Sequence, residues 1–180
     1  MNSRGPQVPL RLIPIPLFPW QIVLPKRGSN MPDSRHTNII AIKEATGSMD
    51  SATEIHQRCD ITILSGDDSL TLPFAACGSS GVVSVVSNLL PARVQALCNA
   101  FLDGDLEGAK RIHMELFPIS RGLLSIDVNP VPLKAAMRLL GRDRGNVRLP
   151  LAEASKDANT KISTLLAEFG LARLERVAGA

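Results

Sequence analysis

Two kinds of run alternate from residue 37 onward: short, continuously apolar stretches, and longer ones in which apolar residues recur every three or four positions. The first short run, residues 39–42, is followed by Lys43-Glu44-Ala45-Thr46-Gly47. A run that is apolar at every position fits a strand buried on both faces, as in a parallel sheet with helices outside it. Met49, Ala52, Ile55 and Cys59 then share one helical face while Glu54, Gln57 and Arg58 point outward, and Ser48 or Asp50 can cap the start. A second strand is expected over 61–64, ending in Ser65-Gly66-Asp67-Asp68. There Gly66 permits a tight turn close to a ligand, and Asp67 or Asp68 can cap a helix carrying Leu70, Phe74 and Ala75. Gly78-Ser79-Ser80-Gly81 leads into the β-branched run 82–86, expected as a third buried strand. This alternation is that of βα units in an α/β protein.

Beyond Asn88 the periodicity is helical throughout. Pro91 suits a first turn, with Val94, Leu97, Cys98 and Phe101 on one stripe. A longer helix runs from about residue 106 to 123 through Ile112, Leu116 and Ile119, a third over 133–140 to a stop at Gly141, and a last over 153–169 before Gly170. His113 reads as a partly exposed helix residue. Arg142, Arg144 and Arg148 read as a solvated basic loop.

Residues 1–36 differ in kind. Pro6, Pro9, Pro14, Pro16, Pro19, Pro25 and Pro32 recur too often for a helix or ladder strand, so an irregular arm is expected. The basic, apolar start suggests a secretion signal, but its prolines and lack of a small-residue cleavage site argue against one. A truncated or frame-shifted gene would make this segment accidental sequence. Residues 172–180 are expected to fray as a tail.

Composition narrows the classes. At 180 residues the chain supports a real core but falls short of a whole eight-fold barrel of ~250 residues. With 44% hydrophobic and 21% charged residues it reads as globular, and no apolar run reaches the ~20 residues of a membrane helix. A net charge of +3, interspersed, gives no footing for nucleic acid. Cys59, Cys77 and Cys98 form no CxxC pair and read as reduced residues of a cytoplasmic protein. Asp67 and Asp68 have no His or third acid at ligand spacing, so no metal is expected there.

Lys43 is the candidate for chemistry. At the carboxyl end of a barrel strand it would stand on the rim where active sites are built, and desolvation there would favour a free amine able to attack a carbonyl. Four stretches in order carry a resemblance: Ile39-Ile40-Ala41-Ile42-Lys43-Glu44-Ala45-Thr46-Gly47, Leu64-Ser65-Gly66-Asp67-Asp68, Gly81-Val82-Val83-Ser84-Val85 and Asn129-Pro130-Val131-Pro132-Leu133-Lys134. Over about residues 37–171 the sequence resembles the carboxyl-terminal half of the 4-hydroxy-tetrahydrodipicolinate synthases, within the pyruvate-dependent Schiff-base aldolases.

The resemblance implies an α/β fold: a partial TIM (β/α)8 barrel of the last three βα units over 37–171, with a carboxyl-terminal helical extension. It implies that Lys43 forms the Schiff base with pyruvate, which then condenses with L-aspartate 4-semialdehyde in lysine (diaminopimelate) biosynthesis, and that Val83 offers a backbone contact to pyruvate. No metal or organic cofactor is implied. A cytoplasmic homo-oligomer, a tetramer by family, is. The resemblance assigns no role to His36, His56 or His113. The family's proton relay uses tyrosines and early-strand threonines and its carboxylate site an arginine, whereas this sequence contains no tyrosine. Two alternatives stand beside the synthase. One is another Schiff-base pyruvate aldolase such as an N-acetylneuraminate lyase relative, disfavoured by Glu44-Ala45-Thr46-Gly47. The other is a non-catalytic fragment or interaction module with an open sheet edge.

Overall fold

The computed structural model describes residues 40–171. The arm over 1–36, the tail over 172–180 and the start of the first expected strand at Ile39 lie outside the described residues. The chain divides into two compact units, one ending at Val83 and the other beginning at Ser84.

The first unit is a three-stranded parallel sheet in sequence order, with β1 Ala41–Glu44, β2 Thr62–Ser65 and β3 Ser79–Val82. Helix α1 (Met49–Arg58) connects β1 to β2, and a 3-10 turn with helix α2 (Thr71–Ala76) connects β2 to β3. Ser48 caps α1 by accepting a hydrogen bond from the Ser51 amide at 3.2 Å, and α1 buries Ala52 and Ile55. Asp67 occupies the position before the 3-10 turn but makes no side-chain cap bond to it. Ile63 and Phe74 complete the buried apolar centre of this unit.

The third strand lies earlier than the sequence suggests. Of the Val-rich run 82–86 only Val82 belongs to the strand. Pairing starts at Ser79, opposite Ile63, then slips by one residue so that Gly81 faces Leu64 and Val82 faces Ser65. The Ser79 hydroxyl fixes this start by donating to the Ile63 carbonyl at 3.0 Å. The ladder ends where the Val83 amide donates to the Ser65 carbonyl at 2.8 Å. Ser84 then turns the chain, its hydroxyl accepting from the Ser87 amide at 2.8 Å, and Val86–Asn88 form a 3-10 turn. β-branched composition marks a good strand former, but register is decided by which backbone groups meet.

The second unit is helical: α3 Pro91–Leu102, α4 Leu106–Ile126, α5 Val131–Leu139 and α6 Lys156–Glu168. Ile112, Leu116, Ile119 and Leu123 line the buried face of α4. That stripe carries the helix through Pro118, which sits exposed on the outer side, where a missing amide costs least. α6 starts at Lys156 rather than near 153, because Ser155 caps it by accepting from the Ala158 amide at 3.1 Å. Arg142 is not merely solvated, since its guanidinium donates to the Leu89 carbonyl at 3.0 Å. No helix among the described residues is long and apolar enough to cross a membrane.

Candidate active site

Strand alternation sorts the rim residues onto two faces. Ile42 pairs with Ile63 and Glu44 with Ser65, and the Glu44 carboxylate reaches Ser51 of α1, so this face looks toward the helix. Lys43 pairs with Leu64, and Leu64 with Gly81, on the opposite face. Val83 lies two residues beyond Gly81, hence on the same face as Lys43 and two strands away, about 10 Å across the sheet. The structure thus puts both sequence-derived site residues on one face near the carboxyl ends of the strands.

Lys43 is exposed, so these residues do not supply the desolvation expected of it. Val83 is 42% exposed and Ile40, at the start of β1, 53%. Gly81, in the same row as Lys43, has only Leu64 nearby, at 3.5 Å from where a Cβ would stand. A hollow of about 500 Å³ lined by His56, Arg58, Asp60, Thr62 and Ser80 opens at the amino ends of β2 and β3, away from Lys43.

The loop after Lys43 is held by a closed ring of hydrogen bonds. Glu44 is fully buried, and its carboxylate accepts from the Thr46 amide at 2.6 Å and from the Ser51 hydroxyl at 2.9 Å. The Thr46 hydroxyl accepts from the Ser48 amide at 3.1 Å, and Ser48 in turn caps Ser51. Gly47 turns at φ +75°, the left-handed region glycine enters freely. Gly66 also brings two loops together. Its amide donates to the Glu44 carbonyl at 2.6 Å, and a Cβ on it would come within 2.8 Å of the Ala45 Cα. The glycine brings the β2 loop against the β1 loop. Sequence reasoning passed over Glu44 as a structural group, although a carboxylate at a strand end followed by Thr46, Ser48 and Ser51 signals a capped loop.

A parallel βα array presenting a lysine near the carboxyl ends of its strands is the catalytic-rim architecture of an α/β barrel, here a part of one. Comparison with known proteins agrees. Residues 34–169 match the model of the dihydrodipicolinate synthetase family, and the chain belongs to that family. It is 45% identical over 138 residues to the 4-hydroxy-tetrahydrodipicolinate synthase of Geobacter sulfurreducens, covering 76% of this chain and 47% of that protein. It is 46% identical over 136 residues to the enzyme of that name from Moorella thermoacetica, covering 74% and 46%. The crystal structure of dihydrodipicolinate synthase from Aquifex aeolicus superposes with a TM-score of 0.75 at 40% identity, covering 79% of this chain and 49% of that one. The chain spans about half the length of the curated relatives it matches.

Proposed function

We propose that Lys43 is the Schiff-base lysine of a 4-hydroxy-tetrahydrodipicolinate synthase centre, which condenses pyruvate with L-aspartate 4-semialdehyde in lysine (diaminopimelate) biosynthesis. The observation that carries this is the shared face of Lys43 and Val83 at the carboxyl ends of β1 and β3 in a chain of this family.

The free Lys43 amine adds to the pyruvate ketone and water leaves, giving an iminium. The iminium takes up the electron pair released when a methyl proton departs, which leaves an enamine. The enamine carbon attacks the aldehyde, whose oxygen takes a proton. The substrate's own amine then closes on the iminium carbon and displaces Lys43. The lysine acts as both tether and electron sink, and this scheme calls for no metal or organic cofactor. Because the Val83 amide already donates to Ser65, the backbone group left on Val83 is its carbonyl, an acceptor suited to the N–H of the iminium adduct rather than to pyruvate's own oxygens, which only accept. No tyrosine of these 180 residues moves the protons, since the sequence has none. A cytoplasmic homo-oligomer belongs to the same reading.

A non-catalytic interaction module is favoured by one observation, the exposure of Lys43, Ile40 and Val83. Pyruvate with borohydride separates the two readings. The synthase reading expects the reduced pyruvyl mass on Lys43, located by tandem mass spectrometry and lost in Lys43→Ala. Label spread evenly over other lysines, or retained in Lys43→Ala, overturns it.

A further inference from the structure

Glu44 follows Lys43 in the chain yet points to the other face of the sheet, where it is fully buried. A carboxylate is rarely taken out of water without hydrogen-bond donors, and both donors here are neutral: the Thr46 amide and the Ser51 hydroxyl. Thr46 lies in the loop that follows Lys43, and Ser51 lies in the first turn of α1. The Glu44 carbonyl, meanwhile, accepts from Gly66 at the end of β2. One residue thus joins three parts of the rim: its own loop, the start of α1 and the β2 loop. In an ordinary capping box the third helical residue returns its side chain to the cap, whereas here Ser51 turns its hydroxyl to Glu44.

The structure assigns Glu44 the role of positioning residue for Lys43: its buried carboxylate ties the Lys43 strand end to α1 and so sets where the amine stands. This rests on the Schiff-base reading of Lys43. Without the carboxylate, the Thr46 amide and Ser51 hydroxyl lose their partner, and the loop can pivot at Gly47, one peptide beyond Thr46. A nucleophile misplaced by about 1 Å can lose about a hundredfold in rate, so a group that never touches substrate can govern the reaction.

The experiment compares the full chain with Glu44→Gln, Glu44→Ala and Ser51→Ala. One readout is the pyruvate-dependent rate of borohydride trapping at Lys43, measured across pyruvate concentrations. The other is hydrogen exchange at the Thr46 amide, which needs no Schiff base. Glu44→Ala is expected to lower the limiting trapping rate about ten- to a hundredfold and to accelerate Thr46 exchange. Glu44→Gln, which keeps an acceptor for Thr46, should recover much of both, and Ser51→Ala should fall between. If Glu44→Ala fails to fold, the graded order of Glu44→Gln and Ser51→Ala against the parent chain decides. Unchanged trapping in every folded variant overturns the role, as does Thr46 exchange that stays slow without the carboxylate. If even the parent chain fails to label Lys43, the Schiff-base reading falls, and Thr46 exchange still shows whether Glu44 holds the loop.

Discussion

Gly66 lies against Ala45 so closely that a Cβ added to it would stand 2.8 Å from the Ala45 Cα and 2.9 Å from the Glu44 carbonyl oxygen. Both neighbours are backbone atoms, which cannot rotate away as a side chain would. Gly66→Ala must therefore push the β1 and β2 loops apart and weaken the bond from Gly66 to Glu44. A loss of about 1–3 kcal/mol is expected, the range for inserting atoms into a packed site. Urea unfolding of the first unit's signal checks it, and a midpoint unchanged within error would contradict the close packing.

How much of this was visible in the sequence depends on which interaction fixed each element. Helical stripes were plain because burial recurs along them: Ile112, Leu116, Ile119 and Leu123 even carry α4 through Pro118. Strand edges were less so. The valines after Gly81 have the composition of a strand, yet pairing begins at Ser79 because its hydroxyl and the backbone of Ile63 meet there. Cross-strand register is a long-range fact, and local composition does not encode it. The same holds at the site. The position of Lys43 at a strand end was readable, but its exposure depends on what lies opposite it in space. Glu44 was readable only as part of a motif, because its role appears once Thr46 and Ser51 are folded back onto it.

Burial holds the imidazole of His113, on α4 beside Phe117, below its ordinary value of 6.5. The unfolded chain then binds the proton more readily than the folded one, so stability rises with pH through this window. The contribution is whole above 6.5 and is lost as pH falls from there through the folded value. NMR titration should show the midpoint of His113 below 6.5. Comparing urea midpoints on either side of 6.5 should show a smaller drop in His113→Gln than in the parent chain.

Asp143 behaves as a paired carboxylate in the loop after α5. The Gly145 amide donates to it at 2.5 Å and the Lys134 ammonium at 3.3 Å, and these, the amide first, hold its carboxyl below the ordinary value of 3.8. Its stabilising contribution is present above 3.8 and lost as pH falls through the lower folded value. Asp143→Asn keeps an acceptor for Gly145 but removes the charge facing Lys134. Acid unfolding below 3.8 should therefore be less steep in Asp143→Asn than in the parent chain, and parallel curves would contradict the pairing.

Condensation of pyruvate with aspartate semialdehyde by the isolated chain of 180 residues should be negligible. Two independent features lead there. The proton relay that the resemblance implies uses tyrosine, and these 180 residues have none in any register. Lys43 is also exposed, so water competes at each step in which the iminium and enamine must be kept from it. General acid–base help contributes about 10²–10⁴-fold, and fixed orientation of the second substrate contributes more. Trapping of pyruvate at Lys43 needs neither tyrosine nor aldehyde, so labelling and turnover should part company. The check is a coupled assay on protein prepared from a host lacking its own synthase. Turnover comparable to that of a full-length relative would show that other groups in this chain replace the relay. Turnover that appears only when a polypeptide carrying the first half of a relative's barrel is added would place the missing groups on that half, and would leave Lys43 as the nucleophile they serve.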